Sequence, residues 1–139
     1  MILVDLNVVL DVVQRRQPHY AASAALLSEI VAGSIDACIP AHAVTTLHYI
    51  VSRYQDKDRA AALVDWLLRY FEIAASGRPE LRRAQGLGMA DFEDAVVASA
   101  AEAMGCRYVV TRNIRHFTRS PVPAVTPEEF MVTQQVEAK

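Results

Sequence analysis

At 139 residues the chain has the commonest length of a single domain, and with 53% hydrophobic and 22% charged residues it can bury a core with no disordered tract. No apolar run approaches the roughly 18 residues of a membrane helix and no signal-peptide pattern precedes the first strand, so a soluble, cytoplasmic protein is expected. A net charge of −2 excludes general attraction to nucleic acid, and two cysteines, Cys38 and Cys106, without metal-ligand spacing read as small buried hydrophobes and exclude a disulfide framework.

In chain order, Ile2–Asp5 reads as a first strand, an apolar run that ends in a carboxylate. A helical stretch follows from about Val8 to Arg16 and breaks at Pro18, and a second helix over His19–Ala32 stops at Gly33. Ile35–Ile39 suits a second strand, bounded by Gly33 and Pro40. The segments HAVTTLHYIVSRY and AAALVDWLLRYF carry apolar residues three and four apart, so they form a helical hairpin around the charged turn QDKDR. Glu72–Ala74 reads as a short edge strand, SGRPELRRAQGLG as a loop enclosing a short basic helix, and DFEDAVVASAAEAMG as a helix ending at Gly105. Arg107–Thr111 is a further strand, Ala124–Val125 adds another, and TPEEF is a terminal helical turn. Strands apolar on both faces that alternate with helices predict an α/β fold of three layers, α/β/α, around a central, mostly parallel sheet, in a single domain over residues 1–139.

In such sheets ligands bind beyond the carboxyl ends of the strands, where Asp5 stands. A buried, unpaired carboxylate is costly, so Asp5 is exposed at the strand end, hydrogen-bonded, paired with a cation, or holding a metal. Asn7 is two residues on. In DFED, Asp91 and Asp94 are three residues apart and within roughly 60° of each other on a helix, whereas Glu93 points elsewhere. Asp91 is either the helix cap or part of the site, and Asp94, just before the most buried stretch, leans toward the site. Thr111, Arg112 and Asn113 end a strand at the same sheet edge, where Thr and Asn also serve as turn caps. His48 shares a stripe with Val44, Leu47 and Val51, which turns its imidazole inward as a hydrogen-bonded core residue more readily than as a ligand. No acid lies between Met104 and Pro127, where Arg107, Arg112, Arg115 and Arg119 stand; Arg15, Arg16, Arg78, Arg82 and Arg83 form smaller basic groups. These are solvated arginines or a local phosphate-binding surface.

The order ILVDLN, PAHAVTTLHYIV, DFEDAVVASAAEAMGCRYVVTRN and TPEEF resembles the PIN domain family, in its branch of small bacterial proteins related to toxin ribonucleases, over roughly Ile2 to Phe130. The resemblance implies a Mg²⁺- or Mn²⁺-dependent ribonuclease, usually a homodimer, acting on RNA and paired with an antitoxin protein. It places the family's first acid on Asp5, with Asn7 as the small polar residue beside the metal, its third acid on Asp94, and an extra acid on Asp91. The second acid, usually Glu, falls on His48, and the fourth, usually Asp, on Asn113, so two core carboxylates are replaced.

A hard divalent cation needs only one or two carboxylates beside waters and substrate phosphate, whereas two metals would be poorly neutralised by Asp5 and Asp94. The expected machinery is therefore Asp5, Asp94 and Asp91 at a metal, with Asn7, Thr111 and Asn113 as polar support. His48 is a substitute ligand that would favour Mn²⁺, and Arg112 a fork for a phosphate oxygen. The alternative is a weakened fold that binds RNA or a protein without cutting. An aspartyl phosphotransferase is disfavoured, because the acid it needs two residues after Asp5 is Asn7.

Overall fold

The apolar run at the start of the chain becomes the middle of the sheet. In the computed structural model, which describes residues 1–137, β1 (Ile2–Val4) lies between β2 (Ala37–Pro40) and β4 (Tyr108–Val110). β3 (Glu72–Ala74) flanks β2 and β5 (Ala124–Val125) flanks β4, giving the order β3-β2-β1-β4-β5 with every pairing parallel.

Alternation along the strands divides the core in two. Ile2, Val4, Ala37 and Ile39 face one side, where they pack with α1 (Leu6–Val13), α2 (Tyr20–Val31), α3 (Ala41–Tyr54), α4 (Lys57–Tyr70) and α7 (Pro127–Glu137). Leu3, Cys38, Ala74 and Val109 face the other, against α6 (Phe92–Ala103), on which α5 (Arg78–Gln85) rests. Residues Ala95 to Ala101 are all buried, and this small-residue stretch lets α6 approach the sheet and α5 at once. Ser99, the one hydroxyl within it, donates to a backbone carbonyl, Glu80 O at 2.9 Å or Val96 O at 3.0 Å. Gly33 and Gly105 follow α2 and α6 with φ of +84° and +70°, the left-handed geometry that ends a helix cheaply only with glycine.

The predicted elements are present, with shifts that have local causes. Asp5 leaves β1 because its side chain takes the Leu6 N–H at 2.8 Å and opens α1, two residues earlier than expected. α4 starts inside the charged turn, since Asp56 caps it by accepting the Arg59 N–H at 2.7 Å. TPEEF opens a helix that runs on to Glu137, not a single turn. Thr126 and Glu129 exchange capping bonds of 3.1 and 3.3 Å, and Phe130 is buried with its ring edge-on to Tyr108. Cys38 and Cys106 are buried and free, their sulfurs 3.5 Å apart. No helix among the described residues is long and apolar enough to cross a membrane.

Candidate active site

Parallel pairing sets the carboxyl ends of β1, β2 and β4 side by side. Asp5 and Thr111 follow β1 and β4 directly, His42 stands two residues beyond β2, and α1 and α3 start at the same edge. The Asp5 carboxylate accepts from Leu6 N–H on one oxygen and from the Thr111 hydroxyl, 2.9 Å away, on the other. Asn7 donates through Nδ2 to Thr111 Oγ1 at 3.1 Å and, more weakly, to Asp5 Oδ2 at 3.4 Å, and its Oδ1 accepts the Arg112 N–H at 3.2 Å. The Asn113 N–H closes the network on Thr111 Oγ1 at 3.1 Å. Asp5, Asn7 and Thr111 are thereby fixed in one arrangement by bonds that span two strand ends.

Burial pushes the Asp5 carboxyl above the usual aspartate value; hydrogen bonds from Thr111 and Leu6 oppose the shift, and the charge of Glu93 adds to it. Asp94 is also raised, by burial first and then by the charges of Asp91 and Asp5, with His116 pulling the other way. The charge of Asp5 thus reaches Asp94 across the site. Among the described residues neither has a lysine or arginine partner. The one contact of that kind is His116 Nδ1 to Asp94 Oδ2, 3.2 Å.

Several expected residues stand elsewhere. Asp91 is the N-cap of α6: its carboxylate is exposed and accepts the Asp94 N–H at 2.9 Å, so it serves the helix while its charge still reaches Asp94. His48 is exposed, not inward. The buried line of α3 runs Ala43, Leu47, Val51, so His48 lies about 100° off it, and the face toward the site carries His42 and Thr46 instead. Asn113 is exposed and engages Thr111 only through its backbone. The guanidinium of Arg112 is directed at Asp11, with Nε 2.7 Å from Oδ2, as an ion pair lacking an aligned hydrogen bond, so its charge is matched within the fold.

Three residues outside the expected set join the site. His42 approaches Glu93 at 3.7 Å, the charges of both reach Asp5, and His116 touches Asp94. The strand-end rule that singled out Asp5 applies equally to His42, two residues beyond β2. The Asp91 and Asp94 spacing carries no signal for Glu93; with Asp91 serving as the cap, Glu93 faces α3.

This donor set fits one hard divalent cation. Asp5 and Asp94 offer anionic oxygens that repel one another and have no strong counter-charge, and waters and phosphate commonly complete such a shell. Among the described residues no three His, Cys, Asp or Glu side chains gather at metal-binding spacing, so waters and phosphate would supply most of that shell, and two carboxylates would neutralise a second metal poorly.

Residues 1–115 match the family model described as PIN domain. The chain is 25% identical over 134 residues to Ribonuclease VapC1 of Aquifex aeolicus, covering 93% of this chain and 92% of that protein. In architecture it is similar to VapBC2 from Rickettsia felis bound to a DNA fragment from their promoter, with a TM-score of 0.67 and 21% identity over 91% of this chain and 98% of that one. It is also similar to a toxin–antitoxin complex from Klebsiella pneumoniae, with a TM-score of 0.69 and 18% identity over 91% and 98% of the two chains.

Proposed function

The chain belongs to the PIN domain family, and from that premise we propose that it is a metal-dependent endoribonuclease, the toxin of a toxin–antitoxin pair. The observation that carries the activity is the placement of Asp5 and Asp94 at the carboxyl edge of a parallel sheet, both carboxyls raised by burial, with the charge of Asp5 adding to the rise of Asp94. Similarity to a named ribonuclease supports RNA as the substrate.

Asp5 and Asp94 would hold one Mg²⁺ or Mn²⁺, which supplies charge neutralisation at a phosphate oxygen and a more acidic water. The chain's own residues do the positioning. Thr111 and Asn7 hold the Asp5 carboxylate at one angle, and His116 steadies Asp94 from the opposite side. Glu93, half turned to solvent beside His42, keeps the rim anionic and offers a proton acceptor close to Asp5.

Toxin–antitoxin complexes of similar architecture support a protein partner. We assign it the apolar groove of about 520 Å³ between α1, α2 and α4, lined by Val9, Val12, Tyr20, Leu27, Val31 and Trp66. Exposed Tyr49, Tyr54 and Leu68 on the α3–α4 hairpin supply apolar surface for a homodimer.

The test is cleavage of a panel of single-stranded and folded RNAs by the full chain, in millimolar Mn²⁺ or Mg²⁺ and in EDTA. Fragments are expected with metal and none with EDTA. A second reading, a PIN fold that binds without cutting, is favoured by the sparse ligand set, and retained RNA binding without metal-dependent fragments would establish it in place of the first.

A further inference from the structure

Phe92 is the first residue of α6, between the capping Asp91 and the acids Glu93 and Asp94, and its side chain is 53% exposed. A single exposed aromatic is ordinary on a surface. This one sits in a trough. On one side a cleft of about 430 Å³ joins it to His42, Thr46 and Glu93, beside Asp5; on the other a cleft of about 570 Å³ joins it to Arg78 and Arg82 of α5. Ser76 and Leu81 line both clefts, so the two are halves of one channel with the Phe92 ring at its middle.

The charges along this channel are arranged for a polyanion. Arg78 and Arg82 are four residues apart on α5 and therefore on one face, exposed, and without an acid at ion-pair distance among the described residues. Their neighbours are already engaged: Arg83 is bound to Glu102 at 2.9 Å, and Glu80 reaches back to the Gly77 N–H at 3.0 Å. Two unpaired guanidinium groups, an exposed ring and then a carboxylate pair, in that order, match a strand with phosphates at one end, an unpaired base over the ring and a phosphodiester at the acids.

We propose that Phe92 is the stacking platform for an unpaired base next to the cleaved phosphodiester, and that Arg78 and Arg82 hold the adjoining phosphates. This rests on the ribonuclease reading and narrows it. A duplex cannot use the ring, because its bases are already stacked on one another.

The test is fluorescence anisotropy of a labelled, unstructured single-stranded RNA with the full chain in EDTA, where nothing is cut. Phe92→Ala and Phe92→Leu are each expected to weaken binding by roughly five- to a hundredfold, the range for loss of one base stack, whereas Phe92→Trp keeps it. The Arg78→Ala, Arg82→Ala double variant is expected to flatten the slope of log affinity against log salt by roughly 1.4, two phosphate contacts at about 0.7 each. The same RNA annealed to its complement is expected to bind no better than to the Phe92→Ala variant. Phe92→Leu binding as tightly as wild type, or equal affinity for duplex and single strand, overturns the assignment and leaves the trough to another ligand such as a protein segment. Cleavage is scored separately with metal: fragments from wild type with no effect of Phe92 remove this proposal alone. RNA binding that depends on Phe92 with no fragments under any metal removes the ribonuclease and keeps the trough.

Discussion

Asp5→Asn removes RNA cleavage, by about a hundredfold or more, and leaves the protein folded. The substitution keeps the size and the capping bond to Leu6 while deleting the charge that Asp5 would present to a metal. Its effect on stability runs the opposite way. Burial raises the folded-state pKa of Asp5, so above the unfolded value of about 3.9 the folded state binds more protons than the unfolded chain. Metal-free stability is then greatest below that value and is lost as pH rises through the folded pKa. Asp94, raised for similar reasons, acts in the same direction. Thermal melts in EDTA from pH 4 to 8 are expected to show this decline for wild type and a flatter profile for Asp5→Asn. Equal cleavage by the variant, or a decline of the same steepness, would contradict the role given to Asp5.

The second large effect falls on a residue outside the chemistry. Arg112→Ala strips the counter-ion from Asp11, which is 0% exposed, and leaves a buried carboxylate whose oxygens have no hydrogen bond among the described residues. Breaking a buried pair on one side costs about 3–5 kcal/mol; with the Arg112 side chain 25% exposed, the lower end, about 3 kcal/mol, is expected. Replacing both partners, as Asp11→Leu with Arg112→Met, recovers most of that loss, because no uncompensated charge remains. Urea unfolding of the single and double variants measures it. A single variant within about 0.5 kcal/mol of wild type, the range of an ordinary surface change, would return Arg112 to the role of a phosphate ligand.

The fold was legible because its signals are local and agree: apolar runs too short for helices, amphipathic spacing between them, and glycines at the helix ends. The position of Asp5 was legible for the same reason, since a carboxylate that ends a parallel strand stands at the carboxyl edge of the sheet whichever way its side chain turns. What was not legible depends on rotation and partnership. A shift of one position in the buried stripe of α3 moves His48 from the interior to solvent and gives the site to His42. The sequence leaves Asp91 open between capping α6 and joining the site, and with its carboxylate taken up by the cap it is Glu93, two residues on, that stands beside His42. Asp11 carried a signal of its own, a carboxylate inside VVLDVV on the core side of α1, but its partner Arg112 lies at the far end of the chain and only the fold brings them together.

Whether the reduced acid set holds an ion is decided most directly by a crystal structure of the full chain soaked in Mn²⁺, read by anomalous scattering. A single peak bound by carboxylate oxygens of both Asp5 and Asp94 is expected. A peak held by Asp91 without Asp5, or no peak at this sheet edge, would contradict a metal centre here.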